Sequence, residues 1–316
     1  MSTISSPVDA TYIPLWRVRL RLFWRAVKTN WAMFAENPIG LFGLGLIIFF
    51  GLFALAHPIL ISTVWEAKIY DPVNGFDIEI PYHPSPPSAK HLLGTDPMGR
   101  DVLSQLMFST RYEFALGMIS AIVTVLIATS IGAIAAYYGG ITDILLMRIV
   151  DLVIMIPYLP ILIVMSALMR VGMIELALFI GILSGFGGTA IVIKSQALTV
   201  KVKPYIEAAR ISGGGDFHII FTHMVPNLLP IALLYMMFVV TGAIFSEAVL
   251  SFFGLTEIDM SWGLMINTTQ VFGYIMRFDA WYLLLPASLA ITLLCAAFYM
   301  VGRALDEVVN PRLRER

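Results

Sequence analysis

Charge is scarce in this sequence. Asp, Glu, Lys and Arg make up 13% of its 316 residues, against about 25% in ordinary soluble domains. A chain this long with so little charge cannot cover itself with a polar surface in water, which excludes a soluble globular protein. Cysteine is almost absent. Cys295 is the single one, so no disulfide forms within the chain; it sits in an apolar run, far from the polar setting a nucleophilic thiol needs, and reads as a small buried hydrophobe. Neither sign of charge dominates, the net charge being −1, and no global field argues for nucleic acid. The pattern GxxxxGK(S/T) is missing, so the chain has no phosphate loop with which to hydrolyse ATP. His91, His218 and His223 lack metal-ligand spacing, His57 and His83 stand alone, and no metal site is assigned. The ten-residue alternation of a membrane β-barrel is missing as well. The first 38 residues contain no short apolar core followed by a small-residue cleavage site, and are therefore not read as a cleavable signal peptide.

What the sequence does have is apolar length. Hydrophobic residues make up 59% and the mean hydropathy is +0.84. Crossing ~30 Å of hydrocarbon takes about 20 apolar residues, and six runs qualify: about 39–61, 114–138, 144–169, 173–193, 228–250 and 282–302. In lipid the backbone must satisfy its own hydrogen bonds, so these runs are expected to be helices, giving an all-α integral membrane protein. Pro157 and Pro160 are expected to kink the third span. The glycines of Gly181 to Gly188 are expected to let helices approach closely.

Lys and Arg set the orientation. With the N-terminus inside, the inner segments hold 14 of them and the outer segments 6, so both termini are expected in the cytoplasm. The chain then divides into a cytoplasmic segment 1–38, a first span 39–61, an external segment 62–113, a core of spans 114–302 and a cytoplasmic tail 303–316. Within the first segment Trp16, Leu20, Phe23, Trp24, Val27 and Trp31 recur at helical spacing opposite Arg17, Arg21, Arg25 and Lys28. That pattern predicts a helix lying in the inner interface against anionic lipid, an elbow that orients the first span. In the external segment Pro81, Pro84, Pro86 and Pro87 predict extended chain. Asp96 before Pro97 predicts a helix start with a carboxylate cap and proline at the first position.

The most specific stretch is a polar island, 194–227, between two spans and on the cytoplasmic side. Tyr205 to Ser212 suits a short helix, with Pro204 before it and Gly213, Gly214 and Gly215 behind. Ala208 and Ala209 beside Glu207 make it narrow enough to lie in a groove, and Glu207 supplies a fixed charge. Such a loop is built to be gripped, and reads as a docking handle for a motor.

The segment EAARISGGGDFHIIFTHMVPN resembles the EAA loop of permease subunits in binding-protein-dependent ABC importers, with Glu207, Ala208, Ala209, Gly213 and Pro226 on the family's pattern. HMVPN (His223 to Asn227), GTDPMGRD (Gly94 to Asp101), RIVDLVIMIP (Arg148 to Pro157) and EAVLSFFGL followed by SWG (Glu247 to Leu255, Ser261 to Gly263) are similar to its dipeptide, oligopeptide and nickel branch, C-type subunit. These stretches cover most of residues 91–265. The one departure is Thr256, where the branch usually has a second glycine. The resemblance implies a six-helix subunit that pairs with a homologous second permease and docks two ATP-binding subunits on its cytoplasmic loops. An extracytoplasmic substrate-binding protein would dock outside. Glu207, Ala208, Ala209, Gly213 and Pro226 would form the ATPase-coupling site. This chain would bind no cofactor, with ATP and magnesium on the partner subunits, and its home would be a prokaryotic inner or plasma membrane. Peptides are the leading substrate, with nickel chelates and oligosaccharides carried by related systems.

Few charges fall within the spans. Asp151 follows Arg148 by three residues and reads as a local pair reaching the interface. Glu247 is more unusual, and faces either the pathway or a permease interface. No chain of acids and histidines runs through the spans as a proton-coupled carrier would need. No nucleophile, base and orienter fall together as a membrane enzyme would need.

Overall fold

A computed structural model of the chain describes residues 15–309; the side chains of Leu15, Trp16, Arg19, Phe23, Ala26 and Val309 lie outside the described residues, as do residues 1–14 and 310–316 with Arg312, Arg314 and Arg316. Among the described residues there is no strand, only helices and loops. In chain order the helices are α1 (Leu15–Ala35), α2 (Pro38–Thr63), α3 (Ala67–Tyr70), α4 (Val102–Tyr138), α5 (Gly140–Met155), α6 (Tyr158–Leu168), α7 (Met173–Gly185), α8 (Gly188–Lys201), α9 (Pro204–Ile211), α10 (Asp216–His218), α11 (Val225–Phe252), α12 (Trp262–Val271) and α13 (Trp281–Val309). A π-helical turn, Ile219–Met224, joins α10 to α11.

Four helical stretches are individually long and apolar enough to cross a membrane: Pro38–Thr63, Val102–Tyr138, Asp216–Phe252 and Phe278–Val308. Two more spans are broken. α5 meets α6 at 78° and α7 meets α8 at 45°, so six spans result when each bent pair is one crossing. Pro157 explains the sharper break: it is the N-cap of α6 and, with no N–H, cannot continue α5. Pro160 lies in the first turn of α6, where an N–H has no partner to lose.

α4 is the central post, packed against α2, α7, α8 and α11. Its contact faces are lined with small residues, Ala121, Ala128, Ala133 and Ala136 being fully or almost fully buried. In lipid there is little hydrophobic drive between helices, so close packing and interhelical hydrogen bonds hold them. Ser120 and Thr124 donate to the carbonyls of Ala177 and Gly181 at 3.1 Å each, contributing about 0.6 kcal/mol apiece. Large apolar side chains such as Phe42, Leu52 and Leu55 point outward from α2, where lipid covers them.

The helix expected at Asp96 starts later. Asp96 instead closes a turn, accepting from the N–H groups of Met98 and Arg100 at 2.9 Å, while Gly99 takes φ +85° and breaks any helix there. Asp101 is the cap, accepting from the N–H of Ser104 at 2.6 Å. α4 then runs on without interruption, so the helix that carries this span begins at Val102, ahead of the apolar run 114–138. At Thr256 no glycine is required, because no described residue other than glycine has positive φ; the Thr256 hydroxyl instead meets Ser251 Oγ at 2.6 Å. α1 forms as expected, with Arg17, Leu20, Arg21, Trp24, Arg25, Val27, Lys28 and Trp31 all exposed.

Candidate functional site

The polar island folds as its residues dictate. α9 starts with Pro204 at its first position, and closes with a full glycine stop. The Gly213 N–H donates to Arg210 O at 3.1 Å and the Gly214 N–H to Ala209 O at 3.0 Å, with Gly213 at φ +81°. That conformation is left-handed, so only glycine adopts it without strain. Ile206, fully buried, pins the helix to the bundle. Glu207 and Ala208 are exposed and Ala209 is half-buried, so the three stand on a protruding element. Val202, Ile211 and Phe217 around it are at least 74% exposed, an apolar surface on a polar loop, of the kind that marks a protein contact.

Tyr137, the penultimate residue of α4, fastens this element. Its hydroxyl donates to Asp216 Oδ1 at 2.6 Å, and the Arg210 guanidinium lies 5.5 Å from its ring centroid. One ring therefore holds both sides of the glycine turn against the central helix. Pro226 lies at the start of α11. Without an N–H, and with its ring crowding the turn before it, it favours the wider π-helical turn at Ile219–Met224. Asn227 Nδ2 fills part of the gap by donating to His223 O at 2.7 Å. The island thus passes directly into the fifth span.

A cavity of about 660 Å³ lies where both broken spans face α11. Among its lining residues are Pro157, Tyr158, Ser184, Gly188, Tyr235 and Gly242. Asp151 is elsewhere: it is exposed, 3.8 Å from Arg148, and lines a smaller cavity of about 270 Å³ with Asp143 and Lys194. Lys194 Nζ and Asp143 Oδ1 pair at 2.5 Å, tying α8 to α5.

Glu247 is buried inside this chain, not on the large cavity's wall. It accepts from the Ser251 hydroxyl at 2.5 Å and faces the carboxyl of Glu113 on α4. Glu113 is 1% exposed and neither of its oxygens has a hydrogen-bond donor among the described groups. The SWG motif packs beside this pair. Ser261 caps α12 by accepting from the Leu264 N–H at 3.2 Å, and buried Trp262 donates to Leu106 O at 3.1 Å. At Gly263 a Cβ would come within 2.6 Å of Ala248 O, so glycine lets α12 lie directly on α11.

The segment between α2 and α4 is clamped by charge. His91 donates from Nδ1 to Asp101 Oδ2 at 2.8 Å and from Nε2 to Asp77 Oδ2 at 3.0 Å, all three groups being buried. Lys90 Nζ reaches the same Asp77 oxygen at 2.7 Å. The bond to Asp101 raises the His91 pKa; burial opposes it and Asp77 adds to it. Burial would raise Asp77, but Lys90 and His91 outweigh it and hold the carboxyl at about 2. Since Asp101 caps α4, the clamp ties this segment to the central post.

Tyr137 ends an apolar run and Glu113 lies among polar residues just before one, and no local pattern marks either. Gly188, expected to bring helices together, and Gly242 instead border open space, where a Cβ would meet nothing within 4 Å.

Comparison with known proteins agrees with this architecture. Residues 128–315 match the family described as binding-protein-dependent transport system inner membrane component. The dipeptide transport system permease protein DppC of Bacillus subtilis is 30% identical over 292 residues, covering 90% of this chain and 85% of that one. The glutathione transport system permease protein GsiD of Pectobacterium atrosepticum is 32% identical over 269 residues, with 84% and 86% covered. The oligopeptide transport system permease protein OppC of Haemophilus influenzae is 33% identical over 227 residues, with 71% of each covered. Six helical spans and a glycine-stopped helix between two of them stand together with these matches: the chain belongs to the family of binding-protein-dependent transport system inner membrane components, as the permease subunit of an ABC importer.

Proposed function

We propose that this permease subunit carries peptides, and that α9 is the element through which ATP-driven movement reaches its spans. Its relatives are named for dipeptide, glutathione and oligopeptide transport, which supports the substrate class. The observation that carries the coupling role is the attachment of α9: exposed at Glu207 and Ala208, apolar at Ile211, pinned by Ile206 and fastened to α4 through Tyr137. A groove on an ATP-binding partner would hold the exposed face, while the buried face passes its displacement to α4 and α11. Glu207, Ala208, Ala209 and Gly213 shape the docked helix, and Pro226 sets the π-helical turn that follows.

In this reading both termini are cytoplasmic, two ATP-binding subunits hold ATP and magnesium, and this chain binds neither. A homologous second permease completes the passage, and an external binding protein delivers substrate. The assembly then alternates between outward and inward access as a two-state system biased by nucleotide and ligand. Glu207→Lys tests it: the variant should insert and pair with the second permease, yet lose ATP-dependent uptake of a labelled tripeptide by tenfold or more. Uptake at the wild-type rate would overturn the coupling role, and uptake following an ion gradient instead of ATP would favour a self-contained carrier.

A further inference from the structure

The cavity between the broken spans and α11 has three properties that packing does not explain. Its wall carries no charged residue among the described ones. Its polar groups are hydroxyls, from Tyr158, Ser184, Thr189 and Tyr235, each able both to donate and to accept. Finally, it is bordered by two glycines with no steric reason to be glycine. A Cβ added to Gly188 or Gly242 would meet nothing within 4 Å, and neither has positive φ.

The contrast is with α7, the other half of the broken span that holds Gly188. On α7 a Cβ at Gly181 would come within 2.6 Å of Val123, and one at Gly185 within 2.7 Å of Ile127; these glycines allow α7 to press on α4. Gly242 lies in the middle of α11, where glycine is unfavourable relative to alanine and here gains no helix contact in return. What Gly188 and Gly242 provide is empty volume, on the wall of this cavity. The broken helices add backbone polarity. At the two breaks the caps take the carbonyls of Val153, Ile182 and Ser184, and the remaining terminal carbonyls of α5 and α7 and first N–H groups of α6 and α8 lie beyond the regular helical ladder. Irregular backbone at membrane depth is tolerated where it is buried in protein or lines a water-filled cavity.

Resting on the peptide reading above, we propose that this cavity is the chain's own substrate-contacting stretch of the passage. It takes an uncharged segment of extended peptide, its hydroxyls and freed backbone groups meeting the peptide amides, and the space beside Gly188 and Gly242 admitting the peptide's side chains. A hydroxyl pairs equally with an amide N–H or C=O, so such a wall holds any peptide backbone without fixing its sequence. With no ion on the wall, it gives no anchor to a charged terminus. Selection by charge then falls to another part of the assembly. The cavity's volume falls within the range of about 300–1,000 Å³ typical of small-ligand sites.

The test uses the full transporter in its native membrane. In a Cys295→Ser background, Gly188→Cys, Thr189→Cys and Gly242→Cys should react with a water-soluble maleimide, whereas Gly45→Cys on α2 should not. Labelling should slow severalfold in the presence of excess trialanine. Separately, Gly242→Leu should cut uptake of triphenylalanine at least tenfold but uptake of trialanine no more than about twofold, because it narrows the passage without closing it. A merely misfolded variant would lose both peptides equally. Unreactive cysteines, or equal loss of both peptides with intact assembly, overturn the cavity assignment. A wild-type complex that imports neither peptide, with its cysteines still labelled, overturns the peptide class and leaves the passage.

Discussion

The hydroxyl of Tyr137 donates to Asp216 across 79 residues of sequence, at 2.6 Å, and joins the end of the central helix α4 to the far side of the loop that carries α9. The same ring lies under Arg210 on the near side. Motion of α9 therefore has a direct path into α4, which packs against α2, α7, α8 and α11.

Removing only that hydroxyl should loosen the loop without unfolding it. Tyr137→Phe keeps the ring beneath Arg210 and loses one hydrogen bond, a net effect of about 1 kcal/mol. Amide hydrogen exchange over residues 205–220 should speed up about fivefold, with exchange in α4 unchanged. Unaltered exchange in the loop would show that Ile206 alone holds it.

The turn after α9 is a backbone requirement. A side chain with a Cβ at the left-handed Gly213 costs roughly 1–2 kcal/mol, and a β-branched one more. Gly213→Val should reduce peptide-stimulated ATP hydrolysis by the assembled transporter, while Gly213→Asn, which tolerates this conformation, should retain most of it. Equal activity of the two variants would argue against a conformational cause.

The Glu113–Glu247 contact joins two buried carboxyls to which no salt bridge extends among the described residues. An amide keeps the shape and supplies a permanent donor for the opposite carboxyl. Glu113→Gln should therefore match or exceed the wild-type melting temperature in detergent. A fall of more than about 5 °C, larger than about 1 kcal/mol produces in a chain this size, would show that both acids are needed to hold something between them.

The clamp around His91 makes a two-sided pH dependence. His91 has a raised pKa, so its contribution is complete below the ordinary histidine value of 6.5 and is lost as pH rises through the folded value. Asp77 is held at about 2, so its contribution is complete above the ordinary 3.8 and is lost as pH falls toward 2. The segment around residues 77–101 should thus resist proteolysis best between about pH 4 and 6.5. His91→Asn should abolish the alkaline limb and leave the acid one. An alkaline limb that persists in this variant would assign it to another group.

What could be read directly from the sequence was local. The α9 helix follows from Pro204, a helix-compatible stretch and three glycines, all within a dozen residues, and the structure returns it as Pro204–Ile211. Span existence followed from apolar length, because lipid forces any such run to satisfy its own backbone. Asp96 before Pro97 carries the cap signal in the sequence, but the left-handed Gly99 that follows breaks any helix there, and Asp101 takes the cap instead. The glycines at 181–188 looked alike in sequence but serve two purposes: Gly181 and Gly185 touch α4, while Gly187 and Gly188 open the break.

The sequence by itself determined that this is a membrane protein with a short, glycine-stopped helix between two spans, since composition and helix punctuation act over short distances. Only the tertiary structure decided what that helix is tied to, where Glu247 points and which glycines leave space. Those depend on pairs such as Tyr137 with Asp216 and Glu113 with Glu247, brought together by packing between helices that share no local pattern. The bends of 78° and 45° likewise set a cavity that no single span contains.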